Sequence, residues 1–306
     1  MHKKQLIHNY KYLAFGLKIQ SELCFPELHS SEFKDPDVQI SFGKNPKELT
    51  DIKSVGVLFQ AKKNDFLFRL DTVGSFRVQN GNSIIIEPSK SATEEEVRLF
   101  LLGSAIGALL QQLDLFTFHG STVIKDDIAY VIGGKSGTGK SSLAATLLNK
   151  GFQLLADDIS IIKNIKGIPM VYPGIPHLKL WADVMEALKL DIESYPKVRP
   201  QILKYRKPVL HKFSNSPHKL GSIVILNTKN TLDFEIEEIK GSKKFELLKE
   251  NTYRYRFLEG LEKTNEHFHA VTLLAGSSNL FLIKRPGTPL QLFDLADFFI
   301  KNIVDS

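Results

Sequence analysis

The sequence predicts an α/β protein that begins with an antiparallel β module. The module is indicated by short alternating runs before about Pro88, among them residues 38–42 and 65–70. The α/β part is indicated by a glycine-rich segment at residues 134–142, which lies between an apolar run and a helical stretch. Alternation with a period of two is typical of half-buried strands, and a strand, glycine turn and helix in succession are typical of α/β cores. We therefore divide the chain into residues 1–92 and 93–306.

Turn and capping signals place the other elements of the first half. Two further alternating runs, residues 75–78 and 83–87, flank Asn80-Gly81, a dipeptide typical of a tight hairpin. Thr93 and Glu96 have the spacing of a capping box, which predicts a helix that begins there and runs to about Leu113.

The glycine-rich segment reads GKSGTGKSS and has the full spacing of a phosphate loop. In such a loop, backbone N–H groups point inward and surround a phosphate chain. The predicted nucleotide-binding residues are Gly134, Lys135, Ser136, Gly137, Thr138, Gly139, Lys140, Ser141 and Ser142. Lys140 is placed to meet β- and γ-phosphate oxygens, and Ser141 to bind magnesium. The sequence therefore predicts ATP or a related nucleoside triphosphate, with Mg²⁺, as ligands.

Two adjacent carboxylates, Asp157 and Asp158, follow a short apolar strand that ends at Ala156. Because neighbouring residues on a strand face opposite ways, the two reach one site only if the strand end is irregular. One carboxylate would then serve the metal, while the other accepts a hydroxyl proton. The alternative is a turn acid that begins a hairpin.

His119 lies at a predicted strand start, directly before the strand that leads to the phosphate loop. A histidine there is placed to stabilise charge during phosphoryl transfer. Taken alone, a single histidine is more often a surface or core residue.

These segments together resemble a known family. The succession FHGSTV (118–123), GGKSGTGKSSLAATL (133–147) and GFQLLADD (151–158) is similar to the catalytic core of the bacterial HPr kinase/phosphorylase superfamily. Residues 98–121 and 12–23 resemble the HPr-kinase-related proteins of peptide-modification systems, including lasso-peptide precursor kinases. The resemblance implies a P-loop-containing core of the HPr kinase/PEP-carboxykinase-like type.

The resemblance also implies roles for single residues. Lys140 and Ser141 correspond to phosphate and metal ligands, and His119 to the active-site histidine of the family. Asp157 would accept the proton of the substrate hydroxyl and Asp158 would lie near the metal, with the order of the two left open. The family's glycine-containing signature with a Glu and an Arg is absent, and residues 172–181 (YPGIPHLKLW) stand in that region. This departure argues against HPr as substrate and against the reverse phosphorylase reaction.

A segment whose charged residues are all basic follows along the chain. Residues 194–232 contain no Asp or Glu and eight Lys or Arg residues, of which Arg199 and Arg206 are our candidates for a phosphate or substrate clamp. The alternative is a solvated loop. The net charge of +6 is modest, and neither zinc-finger spacing nor an aromatic RNA motif accompanies it, so nucleic acid is not expected as a partner.

Composition favours a cytoplasmic protein. The longest apolar stretch, residues 99–110, is too short to span a bilayer, so no membrane partner is expected. Cys24 is the single cysteine, which excludes an internal disulfide.

The predicted activity is that of an ATP- and Mg²⁺-dependent kinase acting on a serine hydroxyl of a small peptide or protein, with a lasso-type precursor as the predicted acceptor. The N-terminal module would dock that peptide by strand addition. The alternatives are a kinase for a free amino acid, an HPr kinase/phosphorylase, and a nucleotide-binding regulator without catalysis. The sequence leaves open whether the chain forms a homo-oligomer.

Overall fold

The computed structural model describes residues 9–199, 201–229, 233–287 and 291–305. The chain forms two compact units, Met1–Leu115 with Arg254–His267, and Phe116–Tyr253 with Phe268–Ser306. The structural boundary lies after Leu115, whereas the sequence placed the division after residue 92. The functional division of the chain stays a prediction.

The first unit contains an eight-stranded sheet in the order β1-β2-β3-β8-β7-β6-β5-β4. Its strands are β1 Tyr10–Ala14, β2 Leu17–Ser21, β3 Val38–Phe42, β4 Ser54–Val55, β5 Phe59–Lys62, β6 Asp65–Leu70, β7 Gly74–Gln79 and β8 Ser83–Pro88. The pairings are antiparallel except those of β3 with β2 and β8, which are parallel. The predicted β module is therefore confirmed, with two parallel pairings that the sequence did not indicate.

Local chemistry explains the predicted turn and helix of this unit. Asn80 and Gly81 both have positive φ, 53° and 67°, as the turn between β7 and β8 requires. Thr93 and Glu96 form the capping box at the start of α1. Helix α1, Glu94–Phe100, continues through a π-helical turn, Leu101–Ala105, into α2, Ile106–Gln112.

The second unit is built on a nine-stranded mixed sheet with a separate two-stranded ribbon. The sheet consists of β9 Phe116–Phe118, β10 Ser121–Lys125, β11 Ile128–Gly133, β12 Gln153–Ala156, β13 Ser160–Ile165, β14 Ile168–Tyr172, β17 His218–Lys229, β18 Glu235–Glu238 and β19 Asn279–Pro286, and the ribbon of β15 His177–Trp181 and β16 Lys204–Pro208. Strands β11, β17 and β19 are neighbours and parallel. Their carboxyl ends therefore meet at one edge, where α/β sheets bind ligands.

Helices cover this sheet. They are α3 Lys140–Asn149, α4 Ala182–Ala187, α5 Ser242–Glu250, α7 Thr264–Ser277 and α8 Leu292–Phe299, whereas α6 Phe257–Gly260 belongs to the first unit. The short 3₁₀ turns Ile192–Ser194 and Leu210–Lys212 and a final π-helical turn, Ile300–Val304, complete the described elements. No helix among the described residues is long and apolar enough to cross a membrane.

Buried side chains on both faces hold the sheet in place. Ile132 and Val224 pack with α3 and α8, whereas their neighbours Val131 and Ile223 pack on the opposite face with α7. This alternation is what strands buried on both sides require. It fixes the start of α3, and with it the glycine-rich loop, at the carboxyl end of β11.

Candidate active site

The glycine-rich loop has the backbone conformation that only glycine adopts readily. Gly134, Gly137 and Gly139 have φ values of 129°, 88° and 98°. A Cβ on Gly134 would lie 2.4 Å from the Leu226 carbonyl oxygen, and the Gly134 N–H donates to Asn251 Oδ1 at 2.8 Å. The loop therefore approaches β17 too closely to accept a side chain at its first position.

Lys140 at the start of α3 is directed back into this loop. Its Nζ donates to the carbonyl oxygens of Gly134 at 2.8 Å and Lys135 at 3.1 Å. Burial lowers the pKa of Lys140, although the nearby charges of Asp157 and Asp158 act in the opposite direction. The ammonium group is thus held where phosphate oxygens would replace the carbonyls as partners.

Asp157 is buried and fully hydrogen-bonded at the end of β12. Its Oδ1 accepts from Ser121 Oγ at 2.6 Å and Ser141 Oγ at 2.9 Å, and its Oδ2 accepts from the Lys179 backbone N–H at 3.0 Å. Of the two aspartates, whose order the prediction left open, the structure therefore places Asp157 against the predicted metal ligand Ser141.

The pair formed by Ser141 and Asp157 fits a magnesium ion. Octahedral Mg²⁺ with oxygen ligands at about 2.0–2.1 Å has neighbouring ligand oxygens about 2.9 Å apart, and the two oxygens here are separated by 2.9 Å. The described residues contain no group of three His, Cys, Asp or Glu side chains that could hold a metal. An ion at this pair would be held by two protein oxygens together with phosphates and water.

Asp158 reaches the same cavity because the strand end is irregular, as the sequence analysis required. Its φ is 74°, in the left-handed region, so its side chain does not alternate with that of Asp157. Oδ2 accepts from Lys179 Nζ at 2.7 Å, and Oδ1 lies 3.4 Å from His119 Nδ1. Burial alone would raise the pKa of Asp158, but the positive charge of Lys179 and the contact with His119 outweigh it and hold that pKa well below its usual range. Asp158 is ionised near neutral pH.

His119 connects the acidic pair to the loop. Its Nδ1 lies 3.0 Å from the Asp158 carbonyl oxygen, and its backbone N–H donates to the Asn251 carbonyl, whose side chain binds Gly134. Burial lowers the pKa of His119, and Lys140 acts in the same direction. The ring is therefore neutral near pH 7, with its Nδ1–H assigned as donor to Asp158.

One cavity of about 810 Å³ is lined by His119, Lys140, Ser141, Asp157 and Asp158. Its wall includes three cations that the sequence analysis did not select, Lys179, Lys204 and Arg285. Arg285 Nε donates to the Thr138 carbonyl oxygen at 2.8 Å, so this buried side chain braces the phosphate loop from β19. The one sequence signal for Arg285 was its place shortly after the apolar run of residues 280–283, at the carboxyl end of a strand.

Lys179 lies in residues 172–181, the segment that stands in the place of the family signature. The signal that could have found it is the alternation of HLKLW, since Leu178 and Leu180 are buried in the core and Lys179 faces the other way. One face of this ribbon therefore packs in the core, and the other faces the site.

The two predicted clamp residues are not in the cavity wall. Arg206 is buried and pairs with Lys179 across the ribbon, whereas Arg199 is exposed outside the regular strands. Neither is among the described residues that line the cavity. Lys204, from the same basic segment, does line it.

Comparison with known proteins gives a partial match. No protein-family model matches the chain. The HPr kinase/phosphorylase of Peptoclostridium acidaminophilum is 31% identical over 141 residues, which cover 46% of this chain and 42% of the relative. Over that segment the chain is similar to HPr kinase/phosphorylase, which supports the resemblance found in its sequence. It spans less than half the length of that curated relative.

The observed elements agree with the predicted fold class, an α/β core preceded in the chain by a β-rich module. The solved structure of the HPr(Ser) kinase/phosphatase from Coxiella burnetii covers 61% of this chain and 94% of its own, with a TM-score of 0.33 and 15% identity. This likeness is too weak for a comparison of the two sites.

Proposed function

We propose that this protein is an ATP- and Mg²⁺-dependent kinase that transfers the γ-phosphoryl group to a serine hydroxyl of a small peptide or protein. The observation that carries the proposal is that two adjacent carboxylates face one cavity with different hydrogen-bond partners. Asp157 contacts the loop serine, and Asp158 faces the same cavity from the opposite side of Lys179. A site that only bound nucleotide would not need the second carboxylate.

The donor is held by the loop amides, Lys140 and Ser141. Ser141 and Asp157 would bind Mg²⁺, which supplies neutralisation of phosphate charge. Lys140 exchanges its two carbonyl partners for phosphate oxygens. Arg285 fixes the Thr138 carbonyl, and therefore the direction in which the following amides point.

Asp158 is the group that would receive the acceptor proton. As the serine oxygen forms its bond to the γ-phosphorus, the bond from that phosphorus to the β-bridging oxygen breaks and ADP leaves. A carboxylate with a depressed pKa is a weak base, but phosphoryl transfer has a loose transition state in which the proton is lost late. The neutral His119 ring and the Lys179 ammonium keep Asp158 oriented and ionised until that point.

The acceptor we propose is a lasso-type precursor peptide. The support is the similarity of residues 12–23 and 98–121 to kinases of peptide-modification systems, together with a β-rich first unit. In that unit, β1 already bonds to residues 29–31, while β4 forms the other edge beside the exposed Val55 and Val57. We place strand addition at the β4 edge. Hydrogen exchange would test this, since the amides of β4 should gain protection with peptide and those of β1 should not.

Intact-mass analysis tests the activity. The full chain, Mg²⁺ and ATP are incubated with a precursor peptide that ends in serine, and the peptide should gain one phosphate. Asp158→Asn should reduce the gain to a small residual rate while ATP still binds, whereas Asp183→Asn, at an exposed position of the same cavity, should keep it. An unchanged peptide mass with folded, ATP-binding protein would refute the peptide-kinase proposal.

A second candidate is an HPr kinase/phosphorylase, favoured by the 31% match to a protein of that name. Purified HPr replaces the peptide in the same assay, and phosphorylated HPr with inorganic phosphate tests the reverse reaction. Phosphorylation of HPr but not of the peptide would select this candidate.

A further inference from the structure

The second unit contains another cavity, of about 250 Å³, behind the phosphate-loop helix. It lies between the last turns of α3 and the core-facing side of the ribbon. Its lining includes the apolar side chains of Leu148, Leu178, Leu188 and Leu190 together with the cations Lys207 and Lys212. None of the described residues that line it is acidic, and none also lines the nucleotide cavity.

Lys207 is a charged residue on the core-facing side of its strand. It pairs with Leu178 across the ribbon, so it shares a face with Leu180 and Tyr205, which are buried in the core. The Lys207 side chain makes no hydrogen bond or ion pair with the other described residues, although it is half-buried. Burial, and then the charge of Lys212, lowers the pKa of Lys207. A half-buried cation beside a like charge is stabilised most by an anion.

Lys212 lies in the short 3₁₀ turn after β16, lines the same cavity and contacts the end of α3. Its Nζ donates to the Leu148 carbonyl oxygen at 2.9 Å, one of the last carbonyls of the helix. The carboxyl end of a helix repels anions, and this contact offsets that repulsion. An ammonium group has three donors, so Lys212 retains donors for a ligand.

We propose that this pocket binds a small aliphatic carboxylate, with its chain against the four leucines and its carboxylate between Lys207 and Lys212. Apolar walls select the chain, and the two cations without an acidic neighbour select the charge. The volume is below that of pockets for drug-sized molecules, which limits the ligand to a short chain. The ligand would pack against α3, whose first turn belongs to the phosphate loop.

The test uses the full chain and sodium hexanoate as probe, with hexanol and hexylammonium as matched compounds. Titration calorimetry should show saturable binding of hexanoate, about tenfold weaker binding of hexanol, and none of hexylammonium. Lys207→Met keeps the apolar stem and should weaken hexanoate about tenfold, while Lys219→Met, at an exposed lysine outside the pocket, should not. A saturating non-hydrolysable ATP analogue should leave hexanoate binding in place.

Several results would overturn the proposal. These are absence of saturable hexanoate binding, equal affinity for hexanoate and hexanol, or displacement of hexanoate by the ATP analogue. An acidic peptide that binds through Lys207 where hexanoate does not would assign the pocket to a protein partner instead. If Lys207→Met does not fold, Leu190→Glu serves as the second variant, and unchanged hexanoate affinity in it contradicts the assignment.

Discussion

Lys179 contacts both aspartates of the site, with its Nζ 2.7 Å from Asp158 Oδ2 and its backbone N–H 3.0 Å from Asp157 Oδ2. One residue of β15 thus sets the separation of the two carboxylates and the charge of one. Because the backbone contact survives any side-chain substitution, the two effects can be separated by experiment.

Lys179→Met should reduce phosphoryl transfer and move its acid limb to higher pH. The pKa of Asp158 is depressed by Lys179 and His119, so loss of Lys179 raises that pKa and protonates the base at a higher pH. We expect a rate loss of about a hundredfold at pH 7. The measurement is the rate as a function of pH, with Lys163→Met as the control. An acid limb at the same pH in wild type and variant would contradict the role of Lys179.

Asp157→Asn and Ser141→Ala should each raise the Mg²⁺ concentration needed for half-maximal activity. The first removes the carboxylate charge and the second removes the hydroxyl oxygen, and we expect an increase of about tenfold to a hundredfold. Activity is measured against Mg²⁺ at saturating ATP. Asp158→Asn is the comparison, because its residual activity should show the wild-type Mg²⁺ requirement. If Asp158→Asn alone shifts the requirement, the two aspartates have the opposite roles.

Arg285→Met should weaken nucleotide binding about tenfold through the phosphate loop. The substitution removes the hydrogen bond that fixes the Thr138 carbonyl. A hydrogen bond from a charged donor contributes about 1.5–3 kcal/mol, which is sufficient for a tenfold change in affinity. Trp181 is the single tryptophan and lines the cavity, so its fluorescence reports binding of an ATP analogue. Arg285→Lys should recover part of the affinity. Wild-type affinity in Arg285→Met would show that the loop holds its shape alone.

His177 should make folding sensitive to acid. Burial lowers the pKa of His177 to about 3. The unfolded chain, with an ordinary histidine pKa near 6.5, therefore binds a proton first, so stability is full above that value and falls as the pH drops toward 3. From pH 7.5 to 5 the loss is about 2 kcal/mol. Denaturant unfolding at both pH values should show a smaller loss in His177→Leu than in wild type, and equal losses would contradict the assignment.

The sequence alone determined the features that depend on neighbouring residues. The phosphate loop, the Asn80-Gly81 turn and the capping box of α1 are local because each is fixed by backbone conformation and hydrogen bonds within a few residues. The alternating strands of the first unit were predicted for the same reason, since a period of two shows which face is buried.

Only the tertiary structure shows the contacts between residues that are far apart in the sequence. Parallel pairing of β3 with β2 and β8, the bracing of the loop by Arg285, and the contact of Lys179 with both aspartates join residues far apart in sequence. Local patterns carry no information about which strand becomes a neighbour or which way a side chain at an irregular strand end points. The order of Asp157 and Asp158 around Ser141 therefore followed from the φ of Asp158 and the position of the ribbon, and from nothing visible in the sequence.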